Sequence, residues 1–536
     1  WDAPRQRLLA ARDHLGQKPF YYTADDRSFA FASEIKALLA LDPALRELDL
    51  EALDQYLGLR LIAPPLSMFR RVRKLPPAHK LVCEPGKSPA ITPYWALRFE
   101  PKLTLDETQL VDELDERVSE SLRLHMESDV PVGAFLSGGM DSGLIVAMLA
   151  KRLGAKGLPT FTVDLPYKRY SEGRHARRVA EDCGTSHHEW TLEPSMLAAL
   201  PDLVWHLDEP SDPLSVCTFL LAQMTRRHVK VVLGGDGGDE LFGGYDRYYG
   251  TLYAKRYARI PPVFRRAVTP LLSFVPEAGW YKSVGHQLKW LHRLSFLTGG
   301  ERYAASLAYF YFDTAARHAL YSSDTRAQLT DVRAEAVIAS RFAAGDGDAL
   351  DRMLLTDSTI RLPDHPVMIS DRMSMAWGLE VRSPFMDHRV AEFAARIPGR
   401  FKVRGRELRY IQKRLARRYL PAEILDRPKQ GFSSALPYIL RDEYRLLYGE
   451  LLAPSELVKA GILRPEPIER LLAEQLAGRR DHGNRLWLLM NAELWFRMSI
   501  QGTAREELGA RLAALGRQLR KTPRAAAART AAESAG

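Results

Sequence analysis

The stretch FLSGGMDS, residues 135–142, decides the fold because it connects an apparent strand to an apparent helix. Apolar residues alternate from 130 to 136, which predicts a strand, and the apolar run 143–153 predicts a helix directly after the loop. The first N–H groups of a helix have no partners inside it, and the helix dipole favours an anion at this end. The stretch therefore predicts a loop that binds phosphate groups.

Each residue type in this loop suits a nucleotide phosphate. Gly138 and Gly139 can adopt positive φ and let the main chain approach a phosphate closely. The hydroxyls of Ser137 and Ser142 add further donors. The carboxylate of Asp141 would repel phosphates unless a divalent cation lay between them, so the loop also predicts magnesium. The alternative is an ordinary polar turn, because glycine and serine are common in turns.

Length and composition set the class of protein. A chain of 536 residues holds two or more domains, and 46% hydrophobic with 26% charged residues is typical of a soluble globular protein. No apolar run reaches transmembrane length and no signal peptide opens the sequence, so we expect a cytoplasmic protein without a membrane partner. The net charge of +10 suits an anionic ligand such as ATP. A nucleic-acid partner is not expected, because the basic cluster 70–74 has no aromatic or zinc-finger pattern beside it.

The order of elements predicts an α/β fold class with a doubly wound, mostly parallel sheet. Residues 1–95 have the short strands and single helix typical of the end of an α+β domain. Strands and helices then alternate, and the predicted strands are 130–136, 159–164, 187–192 and 229–233. The ligand crevice of such a sheet lies beyond the carboxyl ends of its strands. The rest of the second domain, 96–510, is mainly helical, and 511–536 is expected to be a disordered tail.

A second glycine-rich loop, GGDGGDELFGGY at residues 234–245, follows the last predicted strand. Its carboxylates could belong to a calcium loop, but the twelve-position ligand pattern of an EF-hand is absent. At the end of a parallel strand, it is better explained as the far wall of a site for ATP and magnesium. Asp239 can then share a cation with Asp141, and Asp236 can act on the substrate as a base or orienting group.

Four ordered motifs resemble the glutamine-dependent asparagine synthetase family. They are residues 137–142, 235–245, 371–385 and 427–432. The first motif lacks the Gly-Lys-Ser/Thr of a P-loop and is similar to the loop that binds pyrophosphate in enzymes that adenylate acids. The resemblance covers roughly residues 1–500. It implies that 1–95 is the C-terminal part of an N-terminal nucleophile glutaminase domain and that 96–510 is an adenine nucleotide alpha hydrolase-like synthetase domain.

The resemblance implies a two-step reaction. An acid, aspartate in the named family, attacks the α-phosphorus of ATP and releases pyrophosphate, and ammonia then displaces AMP to give the amide. By match to the family, the catalytic residues are Asp236, Arg372 and Lys429. The remaining nucleotide-binding residues are Leu136, Val163, Gly234 and Gly235, and magnesium is held by Asp141 and Asp239. Homodimers occur among similar enzymes.

The family makes ammonia from glutamine with an N-terminal cysteine whose own α-amine is the base. Asp13 matches the aspartate that holds the amino group of glutamine, yet no cysteine precedes it. Cys83 cannot replace this nucleophile, because an internal cysteine has no free α-amine. The chain as given is therefore expected to use ammonia and not to hydrolyse glutamine.

Other functions remain compatible with these motifs. Relatives amidate other acids, including acids of surface-polymer gene clusters, and some close a β-lactam with an internal amine. A catalytically dead binding module would have lost acidic-loop residues, whereas Asp141, Asp236 and Asp239 are all present. An enzyme that modifies RNA would normally carry its phosphate loop near the chain start. The sequence favours an amidotransferase and leaves the acceptor acid open.

Overall fold

The described part of the chain forms three sheets and many helices around two large apolar cores. The computed structural model describes residues 1–164, 171–191, 197–210, 212–275, 283–329, 333–426, 444–477 and 479–520. The motif 427–432, with Lys429, and residues 521–536 lie outside this part of the chain.

Residues 1–95 contain two small antiparallel sheets. The first has the order β1, β5, β6, with β1 at Leu8–Ala11, β5 at His79–Cys83 and β6 at Ala90–Pro93. The second has the order β3, β2, β4, with β2 at Tyr21–Ala24, β3 at Phe29–Ala32 and β4 at Arg73–Lys74. The short strands expected in residues 1–95 are confirmed.

The central sheet has five parallel strands. They are β7 at Val132–Phe135, β8 at Pro159–Asp164, β9 at Ser186–Thr191, β10 at Val231–Leu233 and β11 at Glu380–Arg382. Their order across the sheet is β11, β10, β7, β8, β9. The chain runs outward from β7 through β8 to β9 and then returns to β10 on the other side of β7. The loops that follow β7 and β10 therefore open into one crevice at the point where the strand order reverses.

Helices surround these sheets. The α-helices are α1 Ile35–Leu41, α2 Leu50–Leu59, α3 Glu107–His125, α4 Met140–Lys151, α5 Gly173–Cys183, α6 Leu200–Leu207, α7 Pro213–Thr225, α8 Gly238–Phe242, α9 Asp246–Tyr257, α10 Pro262–Ser273, α11 Val284–Ser295, α12 Gly299–Ala308, α13 Thr314–Leu320, α14 Ser323–Gln328, α15 Ala336–Ala343, α16 Ala349–Thr356, α17 Met368–Met375, α18 His388–Arg396, α19 Tyr410–Ala416, α20 Ala422–Leu425, α21 Tyr444–Leu447, α22 Glu456–Lys459, α23 Pro465–Leu476, α24 Gly483–Trp495 and α25 Arg505–Arg520. Among the described residues, none of the helices combines the length and apolar character needed to cross a bilayer.

Helix α3 shows how the sequence sets a helix start and a buried face. The side chain of Asp106 accepts a hydrogen bond from the Gln109 N–H at 2.9 Å, and Gln109 Oε1 accepts from the Asp106 N–H at 3.0 Å. This reciprocal cap satisfies N–H groups that have no partner in the first turn. The four-residue spacing then buries one face, formed by Leu110, Leu114, Val118 and Leu122.

The two large cores tie the N-terminal residues to the rest of the chain. One core surrounds α4, which is apolar on almost every side because it lies between the central sheet and other helices. The other joins residues of 1–95 to α6 and α24. In this second core the rings of Phe69 and Trp495 meet edge to face with centroids 5.1 Å apart. Residues 1–95 therefore share a hydrophobic core with the C-terminal helices.

Several expected boundaries shift in the structure. Helix α4 begins at Met140 rather than at 143, so Asp141 and Ser142 belong to its first turn. The disordered tail expected from 511 is wrong for residues 511–520, because α25 continues to Arg520 and buries Leu512. The coarse prediction of an α/β architecture with a parallel sheet and a helical C-terminal half is confirmed.

Candidate active site

The loop after β7 is closed by the hydroxyl of Ser142. Ser142 Oγ accepts a hydrogen bond from the Ser137 N–H at 3.1 Å and lies 3.1 Å from Ser137 Oγ. The Leu136 N–H donates to the carbonyl of Phe161 on β8 at 2.9 Å, so strand-like pairing extends into the loop. Gly139 is the N-cap of α4 and has no side chain to cap it. The first N–H groups of α4 are therefore suited to an anion.

Gly138 allows this loop to lie against the start of α5. Its φ is +70°, a conformation that side chains disfavour. A Cβ on Gly138 would lie 2.8 Å from both the nitrogen of Ala176 and the carbonyl oxygen of Glu172. The packing therefore requires glycine at this position.

The two glycine-rich loops contact each other, as the sequence predicts. A Cβ on Gly235 would lie 3.1 Å from Asp141 Cβ and 3.1 Å from the nitrogen of Ser142. A Cβ on Gly238 would lie only 2.7 Å from Asp141 Oδ1. Gly234 completes the second loop by donating its N–H to the carbonyl of Arg382 on β11 at 2.8 Å. Side chains at these glycines would fill the space in which the loops meet.

Asp236 lies in the second loop, just beyond the carboxyl end of β10, and is partly buried. The hydroxyl of Ser383 donates to its Oδ2 at 3.5 Å, and Ser370 on α17 adds a second hydroxyl bond. Burial raises the pKa of Asp236 to about 6; the two hydroxyls oppose this rise, and the charges of Asp141 and Asp239 add to it. A carboxyl group with this pKa can take up or release a proton near neutral pH.

A cationic side chain that sequence reasoning did not select lies between the two expected metal ligands. Arg409 Nη1 donates to Asp141 Oδ2 at 2.6 Å and lies 3.3 Å from Asp239 Oδ1. Gln412 Nε2 donates to the other oxygen of Asp141 at 2.8 Å. Burial alone would lower the pKa of Arg409, but the two aspartates raise it. Nothing in the arginine-rich stretch 404–418 distinguishes this residue before the chain is folded.

The donor set at this point fits a magnesium ion that arrives with a nucleotide. Asp141 and Asp239 both reach one nitrogen of Arg409, so their carboxylates converge. Across the described ranges, no group of three or more His, Cys, Asp or Glu side chains could hold a metal by itself. Magnesium commonly uses one or two carboxylates and completes its shell with phosphate oxygens and water. A cation here would compete with Arg409 for the same two carboxylates.

A buried polar network supports the second loop from behind. The hydroxyl of Tyr245 donates to Glu240 Oε1 at 2.6 Å, and Arg361 Nη1 lies 3.3 Å from the same oxygen. Arg361 Nη1 also donates to the Tyr245 hydroxyl oxygen at 3.1 Å. Burial raises the pKa of Glu240 to about 7, although Arg361 acts in the opposite direction. This network fixes the helical end of the loop, immediately after Asp239.

Arg372 does not lie with the phosphate loop, which differs from the expectation for this residue. Its guanidinium is buried and donates to Asp208 Oδ2 at 2.6 Å, to the carbonyl of His206 at 2.8 Å and to the carbonyl of Ser33 at 2.9 Å. Ser370, two residues earlier on α17, is the residue that reaches Asp236. Residues two apart on a helix point about 200° apart, so α17 turns Arg372 toward residues 1–95.

Three further residues that the family match selects are Val163, Asp13 and Lys429. Val163 lies near the carboxyl end of β8, at the same edge of the sheet as both loops. Asp13 lies in the N-terminal residues, where its carboxylate accepts hydrogen bonds from the N–H groups of Gln17 at 2.8 Å and Lys18 at 3.0 Å. Lys429 lies outside the described residues.

Buried ion pairs connect residues 1–95 to the unit that contains the parallel sheet. Lys74 Nζ donates to Glu209 Oε2 at 2.8 Å, and both side chains are almost fully buried. Arg12 lies 4.0 Å from Asp364 in another buried pair. A small cavity at this contact is lined by residues of both parts, including Arg12, Lys74 and Asp364. Because an unpaired buried charge is costly, these pairs fix how the two parts fit together.

Two family models match separate parts of this chain. The asparagine synthase family model matches residues 113–497, and the glutamine amidotransferase domain model matches residues 1–95. "Asparagine synthetase [glutamine-hydrolyzing] 1" of Bacillus subtilis (strain 168) is 28% identical over 503 residues, which cover 94% of this chain and 77% of that protein. A "Putative asparagine synthetase [glutamine-hydrolyzing]" of Mycobacterium bovis is 34% identical over 511 residues, covering 94% and 76%. "Amidase chyE" of Penicillium rubens is 26% identical over 507 residues, covering 89% and 71%.

The paired loops and the two matched domains define a carbon–nitrogen ligase of the glutamine-dependent class, as predicted. Both the synthase model and the amidotransferase model match within this one chain. This chain belongs to the asparagine synthase family.

Proposed function

We propose that this chain adenylates a carboxylic acid with ATP and converts the acyl adenylate into an amide. The observation that carries the proposal is the contact between the two glycine-rich loops, with Asp141, Asp236 and Asp239 in one crevice. The strand order that reverses between β7 and β10 supports a doubly wound, adenine nucleotide alpha hydrolase-like fold for this unit.

In the first step a carboxylate oxygen of the acid attacks the α-phosphorus. The bond from this phosphorus to the bridging oxygen breaks, and pyrophosphate leaves with the electron pair. The N–H groups at the start of α4 and the loop 136–139 bind the phosphates, and Arg409 is placed to neutralise their charge. Magnesium held by Asp141 and Asp239 would supply further positive charge at the phosphate oxygens. The family match implies a catalytic role for Arg372 and Lys429, but the hydrogen bond of Arg372 to Asp208 favours Arg409 over Arg372 as the cation at the phosphates.

In the second step the nitrogen of ammonia attacks the acyl carbon. AMP leaves with its phosphate oxygen, and the nitrogen loses a proton to give the neutral amide. Asp236 is suited to accept this proton, because its carboxyl group has a pKa of about 6 and lies at the mouth of the crevice.

We further propose aspartate as the acid, with its β-carboxylate activated, so that the product is asparagine. The Bacillus and Mycobacterium relatives, both named asparagine synthetases, support this choice. The second candidate is another acid, such as one made by a surface-polysaccharide biosynthesis gene cluster. The relative named as an amidase supports this alternative.

The test is exchange of labelled pyrophosphate into ATP in the presence of single acids. The chain should catalyse exchange with aspartate and release amide when ammonium is added. Asp141→Asn and Asp239→Asn should abolish exchange, because each removes a carboxylate from the shared cation position. The matched control is Asp115→Asn, since Asp115 is also an aspartate bonded to an arginine but lies on α3.

The results separate the parts of the proposal. Exchange with a different acid and none with aspartate would keep adenylation and reject asparagine as the product. Bound ATP without exchange for any acid tested would reject adenylation. Exchange that survives in Asp141→Asn would show that the cation has been placed on the wrong carboxylate.

A further inference from the structure

Exposed apolar side chains are concentrated in one short part of the described chain. Half of the large exposed apolar residues lie between 260 and 296, and they are Ile260, Val263, Phe264, Val268, Leu271, Phe274, Val284, Leu288 and Phe296. Phe274 is 84% exposed, Val284 72% and Leu271 68%. Single exposed apolar residues are normal, but a contiguous group of this size marks an interaction surface.

Helix α10 is oriented with its apolar stripe outward. At 100° per residue, Val263, Val268 and Leu271 fall within one arc of about 140°. Arg265 points the other way and is buried, where it donates to the carbonyl oxygens of Ile260 at 2.8 Å and Ser295 at 2.6 Å. A helix that only packs on its own protein would bury the stripe and expose the arginine.

Helix α11 extends the same surface. Arg265 contacts Ser295, and Thr269 lies 3.0 Å from His292, so α10 and α11 run antiparallel. This register places Leu288 and Val284, which lie one turn apart on α11, beside the end of α10 that carries Leu271. We call α10 and α11 together the outer helix pair.

The charge around the outer helix pair is strongly positive. Residues 255–300 contain eight lysines and arginines and a single acidic residue, which is most of the net charge of +10 of the whole chain. Lys255 and Arg256 in the last turn of α9, Arg259 in the connection to α10, and Arg266 on α10 are all exposed. The candidate nucleotide site has a cation of its own, Arg409, beside Asp141 and Asp239.

We propose that the outer helix pair binds the surface of a membrane that contains anionic lipids. An amphipathic helix with exposed Phe, Leu and Val on one side and basic residues beside them lies in the plane of a lipid interface, with its apolar face among the acyl chains. The basic residues are complementary to the anionic headgroups. A second protein copy would have the same positive charge at this surface, which opposes self-association. This inference runs against the expectation, drawn from the lack of a transmembrane run, that the chain has no membrane partner.

Vesicle sedimentation of the full chain tests the proposal. The chain should sediment with phosphatidylcholine vesicles that contain about one third phosphatidylglycerol, and much less with phosphatidylcholine alone. The triple variant Phe264→Ser, Leu271→Ser, Phe274→Ser should lower the partition coefficient by about tenfold or more. The pair Arg259→Gln, Arg266→Gln should weaken binding to the anionic vesicles, as should added salt.

The matched control replaces three apolar residues elsewhere that are each at least half exposed, with Leu9→Ser, Phe31→Ser, Leu41→Ser. This control should sediment like the unchanged chain, and circular dichroism should show that both triple variants fold. The proposal is overturned if the chain does not sediment with anionic vesicles, if neutral vesicles bind it equally well, or if both triple variants bind alike. It is also overturned if light scattering shows a dimer that only the Phe264 triple variant dissociates, because the surface would then join two copies.

Discussion

Replacing Arg409 with leucine should destabilise the chain by removing the charge that lies between Asp141 and Asp239. The Arg409 nitrogen is 2.6 Å from one carboxylate and 3.3 Å from the other, and its side chain is 10% exposed. Removing one partner of a buried ion pair costs about 3–5 kcal/mol, because the remaining charge loses its compensation. The two carboxylates are 20% and 17% exposed, so solvent screens part of their repulsion. We expect a loss of about 3 kcal/mol in the free energy of unfolding.

Urea titration with and without magnesium chloride measures this loss. Magnesium should restore part of the stability of Arg409→Leu, since the ion can take the position between the two carboxylates. The double variant Asp141→Asn, Arg409→Leu should lose less free energy of unfolding than the two single variants lose in sum. The reason is that each single change removes one partner of the same ion pair.

Arg418→Leu is the matched control. Arg418 also contacts two aspartates, Asp112 at 2.5 Å and Asp115 at 3.1 Å, but its side chain is 38% exposed. Arg418→Leu should lower the free energy of unfolding by less than about 1 kcal/mol, and magnesium should not change this loss. A cost for Arg409→Leu as small as for this control, or a cost that magnesium leaves unchanged, would refute the reasoning about a shared cation position.

Three further changes test other parts of the site and fold. Asp236→Asn should abolish amide formation, and the rate of the unchanged chain should rise with pH through a midpoint of about 6 as this carboxyl ionises; a pH-rate profile without that midpoint contradicts its role as base. Gly238→Ala places a methyl 2.7 Å from Asp141 Oδ1 and should weaken ATP binding in calorimetry, whereas Gly449→Ala, with nothing within 4 Å, should bind normally. Burial lowers the pKa of Lys402 to about 7, so the folded state releases a proton above this pH that the unfolded state keeps. Stability should therefore rise by about 1.4 kcal/mol per pH unit above 7, and Lys402→Met should remove this slope and stabilise the chain most at or below pH 7.

The sequence predicted those parts of the fold that depend on local pattern. Alternating apolar residues and glycine-rich loops are local patterns along the chain, so β7, β8 and the two glycine loops could be located before folding. Glycine and aspartate at the ends of strands are informative because parallel strands bring their carboxyl ends to one edge. The meeting of Gly235 and Asp141 follows from this rule.

The partners of charged residues could not be predicted in the same way. Arg409 stands in an arginine-rich stretch and Arg372 follows an aspartate, and only the folded chain decides which of them meets Asp141. The short strand β11 was missed because three residues carry too little pattern, and its neighbour β10 lies about 150 positions away. The solvent-exposed apolar face of α10 was missed for a related reason. Periodicity shows that one face of a helix is apolar, but it does not show whether that face lies against the core or in solvent.

Helix α17 contacts both the crevice that contains Asp236 and the N-terminal residues 1–95. Ser370 bonds to Asp236, Asp371 pairs with Lys18 at 2.5 Å, and Arg372 holds the carbonyl of Ser33. Three successive residues of one helix thus contact both the amidotransferase-like part and the crevice. A single turn of helix therefore joins the proposed proton acceptor, Asp236, to two contacts with the amidotransferase-like part.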